Sequence, residues 1–218
     1  MIDSQVNIVL DAIGKRFRNR VLFEDVNLNI VSGERVAITG SNGSGKSTLL
    51  KIIGGLLRPT AGAVSIHVDG TIVDPEQHSL AFGYVAPASN VYSGLSGREN
   101  IEFIQSFYSR SNATADEILE RVGLGDAGDR AVGEYSSGMI QRVKLACAMV
   151  GNPDALLLDE PFSNLDSQGV DVVEGIIEEF VASGKPVMIA TNVGDEAARC
   201  DRRVDIEDYK RVPVSKGG

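Results

Sequence analysis

The sequence predicts an α/β fold built on a mostly parallel sheet covered by helices, and three observations carry that expectation. Short β-runs that look buried on both faces recur at residues 35–39, 155–158 and 187–190. Segments with apolar residues at helical spacing alternate with them, and a glycine-rich turn joins the first run directly to a helix. Strands that lose the apolar-polar alternation belong in sheets covered on both sides, and parallel pairing needs the long crossovers that helices supply.

Taken in order, residues 6–10 and 26–30 read as strands, the second with strict alternation, and 62–68 reads as another ending at Asp69-Gly70, a hairpin-type turn. These runs predict an N-terminal antiparallel β subdomain. Leu49, Leu50, Ile52 and Ile53 form one helical stripe closed by Gly54-Gly55. Residues 99–104, 115–122 and 137–150 are helical in pattern, and 170–181 is a helix between the last two buried runs. The domain expectation is a single unit over 1–218, with about 1–86 and 152–210 forming the core and β subdomain and about 87–151 a helical subdomain. The polar tail from 211 is expected to fray.

Composition removes several function classes. The chain has 218 residues, enough for one substantial core, and 43% hydrophobic against 23% charged residues excludes a disordered chain. A formal charge of −9 repels phosphate backbones and anionic lipid, so neither nucleic acid nor direct lipid binding is expected. No apolar run approaches the roughly 18 residues of a spanning helix. Around Asp3 there is no basic stretch followed by an apolar one, so no secretory signal is expected and the compartment reads as cytoplasmic. Cys147 and Cys200 lack a metal-ligand pattern and read as idle thiols of a reducing compartment.

Gly40-Ser41-Asn42-Gly43-Ser44-Gly45-Lys46-Ser47, followed by Thr48, matches GxxxxGK[ST] between a strand and a helix. Glycines at 40, 43 and 45 let successive N–H groups converge on a phosphate, aided by the positive end of the helix. Lys46 adds a full charge for the β- and γ-phosphates, and the Ser47 hydroxyl suits Mg²⁺. A plain flexible Gly-Ser loop would not need the flanking strand and helix. The run 156–158 ends in Asp159 and Glu160, placing a metal-binding carboxylate and a water-polarising one at a strand's C-terminal end. The expected core is therefore that of a P-loop NTPase using ATP and Mg²⁺. Thr191-Asn192-Val193-Gly194-Asp195 lacks the Lys of a guanine reader.

Tyr135-Ser136-Ser137-Gly138-Met139-Ile140-Gln141-Arg142 resembles the LSGGQxQR signature of ATP-binding-cassette ATPases. Ser163-Asn164-Leu165-Asp166 is similar to that family's D-loop, and residues 98–101 to the helix start that follows its Q-loop. The resemblance spans nearly the whole chain. It implies that Phe17 is a platform for adenine and that Ser136 and Gly138 touch the γ-phosphate of ATP held by another subunit. Read without it, Phe17 could be core and Ser136 an ordinary helix N-cap. Five positions depart from the family's pattern: Tyr135, Ser137 and Met139 replace the signature's Leu, first Gly and first Gln; Pro87 stands at the Q-loop Gln, and its neighbours Ser89 and Asn90 could substitute only on a different loop path; and Asn192 takes the place of the switch His.

What the resemblance implies is an ATP-binding and hydrolysing subunit of a membrane transporter, closing as a homodimer or with a second cassette. Its permease would be a separate chain, and its place the inner face of the cell membrane. The Q-loop variant and the lack of a following regulatory domain lean toward an exporter type, resembling heme or lipid and polysaccharide exporter cassettes. The alternative is a regulatory or structural module that binds ATP with little hydrolysis.

Overall fold

The computed structural model describes residues 5–18, 20–89, 91–108 and 113–210. Asn90 and the polar tail 211–218 lie outside these. Two sheets form. One is antiparallel, with strand order β2-β1-β4-β5 made of β1 (Val6–Phe17), β2 (Arg20–Val31), β4 (Ala61–Val68) and the two-residue β5 (Thr71–Ile72). The other is parallel throughout, in the order β6-β7-β8-β3-β9, from β3 (Arg35–Thr39), β6 (Phe82–Val85), β7 (Ala155–Asp159), β8 (Val187–Ala190) and β9 (Arg202–Asp205).

The first two strands run longer than their alternation suggests. Ala12 (φ 48°) and Asp25 (φ 57°) take left-handed backbone, and the pairing register shifts between Leu10 and Ile13. Each such bulge resets which face a side chain points to, so the period-2 signal breaks while the ladder continues.

Four helices begin where side chains can satisfy free N–H groups. Ser96 and Glu99 form a reciprocal capping box on α3 (Gly97–Gln105), and Thr114 and Glu117 form one on α4 (Ala115–Arg121), after the four-residue α2 (His78–Ala81). Ser136 caps α5 (Ser137–Met149) and Asp166 caps α6 (Ser167–Ala182); the short α7 (Gly194–Ala198) follows β8. No helix among the described residues is long and apolar enough to cross a membrane.

The parallel sheet separates two cores. Leu157, Val36, Ile38 and Met188 face the antiparallel sheet and α1 (Lys46–Ile53), whereas Leu156, Leu158, Val187 and Ile189 face α3 to α6. That two-sided burial is why these strands read as continuous apolar runs. Across the second face the nearly buried Arg35 guanidinium makes paired hydrogen bonds of 2.5 and 3.0 Å to Glu174, joining β3 to α6.

Leu157→Ala, in the central strand and fully buried, is expected to cost about 2–5 kcal/mol in urea unfolding. Ile72→Ala, 63% exposed on a sheet edge, should stay within about 0.5 kcal/mol.

Candidate functional site

The phosphate loop occupies the turn between β3 and α1. Gly45 is the N-cap of α1 at φ 119°, where a Cβ would lie 2.9 Å from the Leu22 side chain; Gly43, at φ 74°, faces open space. Only glycine accepts both demands, and the result is a helix N-terminus opening onto a cleft of about 390 Å³. Phe17, Leu22, Asn42, Lys46, Ser47, Thr48 and Glu160 share that cleft with the two glycines. Phe17, half exposed, thus reaches the loop from the β-subdomain strand β1, with the Lys15 ammonium 4.9 Å from its ring centroid. It is not a core residue.

Lys46 folds back over its own loop, its ammonium donating to the carbonyls of Gly40 (2.9 Å) and Ser41 (3.2 Å). These bonds keep a nearly buried cation satisfied. The Ser44 hydroxyl is buried with no partner among the described residues.

Asp159 ends β7 and bonds the Ser47 hydroxyl across from α1. Burial pushes its carboxyl above the usual range, as does neighbouring Glu160, while Ser47, Lys46 and Lys51 oppose the shift. One hydroxyl and one buried carboxylate are hard oxygen donors, suited to Mg²⁺ that takes its remaining ligands from phosphate and water. Among the described residues no group of three or more His, Cys, Asp or Glu forms a cage for a metal on its own. Glu160 turns the chain sharply, at φ 51°, with its N–H on the Ala190 carbonyl at 2.9 Å. Left-handed backbone is costly for glutamate and marks a position under constraint.

Asn192, after β8, donates from Nδ2 to the Asn42 Oδ1 at 3.1 Å, so the residue in the switch position does touch the loop. Ser136 and Gly138 sit elsewhere. Ser136 is exposed and its Oγ accepts the Met139 N–H at 3.3 Å, so it is a true N-cap. Gly138 packs against the Asn164 carbonyl, 3.1 Å from where a Cβ would stand. Neither lines the cleft of its own phosphate loop. Gln141, buried, donates to the Pro161 carbonyl at 3.2 Å and ties this helix to the segment after Glu160.

At the turn after β6, the Ser89 Oγ accepts the Ala86 N–H at 2.9 Å and is thereby engaged within its own turn. The Pro87 carbonyl accepts the Lys144 ammonium at 2.8 Å, a link between this turn and α5 that the sequence did not signal. Burial lowers the Lys144 pKa from its ordinary value.

A parallel sheet with a phosphate loop, a hydroxyl and two acids at its carboxyl edge defines a P-loop nucleotide-binding protein. Its family follows from comparison with known proteins: the model described as ABC transporter matches residues 23–163, over half of the chain, and the chain belongs to that family as an ATP-binding cassette. It is 31% identical over 94% of its length to the daunorubicin resistance ATP-binding protein DrrA3 of Streptomyces coeruleorubidus, spanning 66% of that protein. To the lantibiotic transport ATP-binding protein SrtF of Streptococcus pyogenes it is 34% identical over 84%, spanning 78% of it. The lipoprotein-releasing system ATP-binding protein LolD of Shewanella denitrificans is 34% identical, with 92% of each chain covered. Among solved structures it resembles a dimeric ATP-binding cassette in a post-hydrolysis state with ADP and Pi, with a TM-score of 0.79, 28% identity and coverage of 91% of this chain and 93% of that one.

Glu160→Gly should raise stability by about 1 kcal/mol in denaturant unfolding because it relieves the left-handed backbone. Glu160→Ala, which cannot, should give no such gain.

Proposed function

We propose that this chain is the ATP-hydrolysing subunit of an exporter-type membrane transporter, working as a nucleotide-closed dimer on a permease formed by another chain. The convergence of Lys46, Ser47 and Glu160 on one cleft, with Asp159 bonded to Ser47, carries this reading. Phe17 stacks adenine. The N–H groups of the loop from Asn42 to Thr48 and the Lys46 ammonium hold the phosphates, Ser47 and Asp159 hold Mg²⁺, and Glu160 polarises the attacking water. When bound, the ion neutralises charge that develops on the transferring phosphoryl group.

Ser136 and Gly138 bear on the γ-phosphate only if a second cassette presents them, since they stand away from their own cleft. The N-terminus of α5, with its free N–H groups, suits that anion. Relatives of nearly equal identity are named for daunorubicin resistance, lantibiotic transport and lipoprotein release. Cargo that varies so widely at constant similarity belongs to the permease. For that partner the segment after Pro87 offers Tyr92, Phe103 and Phe107, exposed aromatics stacked edge to face at 5.1 and 5.2 Å. With a chain charge of −9, protein contact rather than anionic lipid holds the cassette at the inner face of the membrane.

The dimer reading is tested with Glu160→Gln, which blocks hydrolysis. ATP is expected to convert monomer to dimer in size-exclusion chromatography, and adding either Lys46→Ala or Ser136→Arg should keep it monomeric. A dimer that tolerates Ser136→Arg removes Ser136 from the shared site.

Hydrolysis is intact but slow, since an asparagine amide at 192 is shorter than imidazole and cannot become cationic. Loss of one donor on a developing oxyanion costs on the order of 2.7–4 kcal/mol, part of which the amide recovers. Asn192→His should raise kcat with little change in ATP affinity. Turnover unmoved by His, while Glu160→Gln abolishes it, assigns the sensor role to another group.

A further inference from the structure

The front of the phosphate loop is held by three different elements at three consecutive residues. Lys46 of α1 takes the carbonyls of Gly40 and Ser41. Asn192 takes the Asn42 side chain. The third tether comes from the C-terminal part of the chain, where Glu207 Oε1 accepts both the Ser41 N–H, at 3.2 Å, and the Ser41 hydroxyl.

Glu207 is an exposed residue, but its backbone is seated. It lies in a 3₁₀ turn, Ile206–Tyr209, capped by Asp205, whose carboxylate accepts the Glu207 N–H at 3.0 Å. The preceding Ile206 is fully buried directly beneath the loop, so close that a Cβ on Gly40 would lie 2.9 Å from its Cγ2. Ser41 and the Lys210 ammonium, 3.1 Å away, hold the Glu207 carboxyl down at about 2, so the group is anionic at any working pH.

Nucleotide binding, as read above, changes the load on these tethers. The Lys46 ammonium, which spends two of its three N–H donors on the Gly40 and Ser41 carbonyls, must now share itself with the phosphates, and Asn192 is at the γ-phosphate end of the site. Glu207 alone has no duty toward the nucleotide. We propose that Glu207 is a positioning residue for ATP binding, whose carboxylate keeps Ser41, and with it the front of the phosphate loop, in place as the phosphates draw on the Lys46 ammonium. This rests on the reading of the loop as an ATP site.

The tether and the charge can be separated. Glu207→Gln keeps an acceptor oxygen for Ser41 and removes the charge; Glu207→Ala removes both. If the carboxylate acted only by repelling the nucleotide, both variants would bind ATP more tightly and alike. If it positions the loop, only Ala suffers, by the roughly three- to tenfold that one or two solvent-accessible hydrogen bonds are worth.

The experiment is calorimetric titration of the full chain with Mg-ATP, paired with amide hydrogen exchange at Ser41. The expected result is a dissociation constant raised about three- to tenfold in Glu207→Ala and within about twofold of the parent in Glu207→Gln. Exchange at Ser41 should be faster in Ala alone, and kcat at saturating ATP should be unchanged. Equal affinities for Ala and Gln, or tighter binding by Ala, overturn the proposal. A parent chain that does not bind Mg-ATP overturns the underlying ATP-site reading instead. Should Ala unfold the turn, Ser41→Ala removes only the hydroxyl partner and is expected to weaken binding in the same direction by a smaller factor; unchanged affinity there counts against the tether.

Discussion

The register of three adjacent parallel strands sets the position of every residue that could do chemistry here. Ile38 of β3 pairs with Ala190 of β8, and Ala190 pairs with Asp159 of β7, so the three stand abreast at the sheet's carboxyl edge. The chain leaving β3 becomes the phosphate loop, the chain leaving β7 becomes Glu160, and the chain leaving β8 becomes Thr191 and Asn192. A slip of one residue in any pair would turn Asp159 toward the helical core and Leu158 toward Ser47. What prevents the slip is burial. Leu156 and Leu158 fill one core and Leu157 the other, all without exposed surface, so each strand is pinned from both sides. The apolar strands are therefore positioning devices for polar groups that begin where the strands end.

Those polar groups also strain the backbone that carries them. Glu160 and Asn164 take left-handed conformations at φ 51° and 61° in a span of five residues after β7. The first lets Glu160 leave the strand direction and line the cleft. The second places the Asn164 carbonyl against Gly138, where any side chain would crowd it. Strain of this kind persists only where the surroundings over-determine it. Here they do, through the Glu160 N–H on Ala190, the Gln141 amide on Pro161 and the Asp166 cap on α6. The acid, the signature helix and the D-loop segment thus form one mechanical unit.

How far the sequence could be read depended on whether the signal was local. The buried strands, the phosphate loop, the two acids and the capped helices are patterns within a few residues, and the folded chain has them where the sequence put them. The edge strands β6 and β9 escaped that reading. β9 carries Arg202, Arg203 and Asp205 around a single buried Val204, the charged composition that discourages pairing with another sheet but also hides the strand. The bulges in β1 and β2 broke the alternation that would have shown their length. Tethers that cross the fold left no trace at all: Glu207 lies 166 residues from Ser41, and Lys144 lies 57 from Pro87. Only a completed sheet brings such residues together.

On the proposed reading, the arrangement of the site makes a single cassette incomplete. Its cleft collects the phosphate loop, Ser47 and Glu160, which approach from the sheet edge. The N-terminus of α5 presents Ser136 and the Gly138 region outward, away from that cleft, with its Ser136 cap already satisfied by Met139. An anion there would meet free N–H groups and the positive end of a 13-residue helix. Within one chain these two surfaces cannot share a phosphate. In the proposed dimer, two chains related by a two-fold axis would each donate a helix end to the other's loop, giving two equivalent sites from one self-complementary contact.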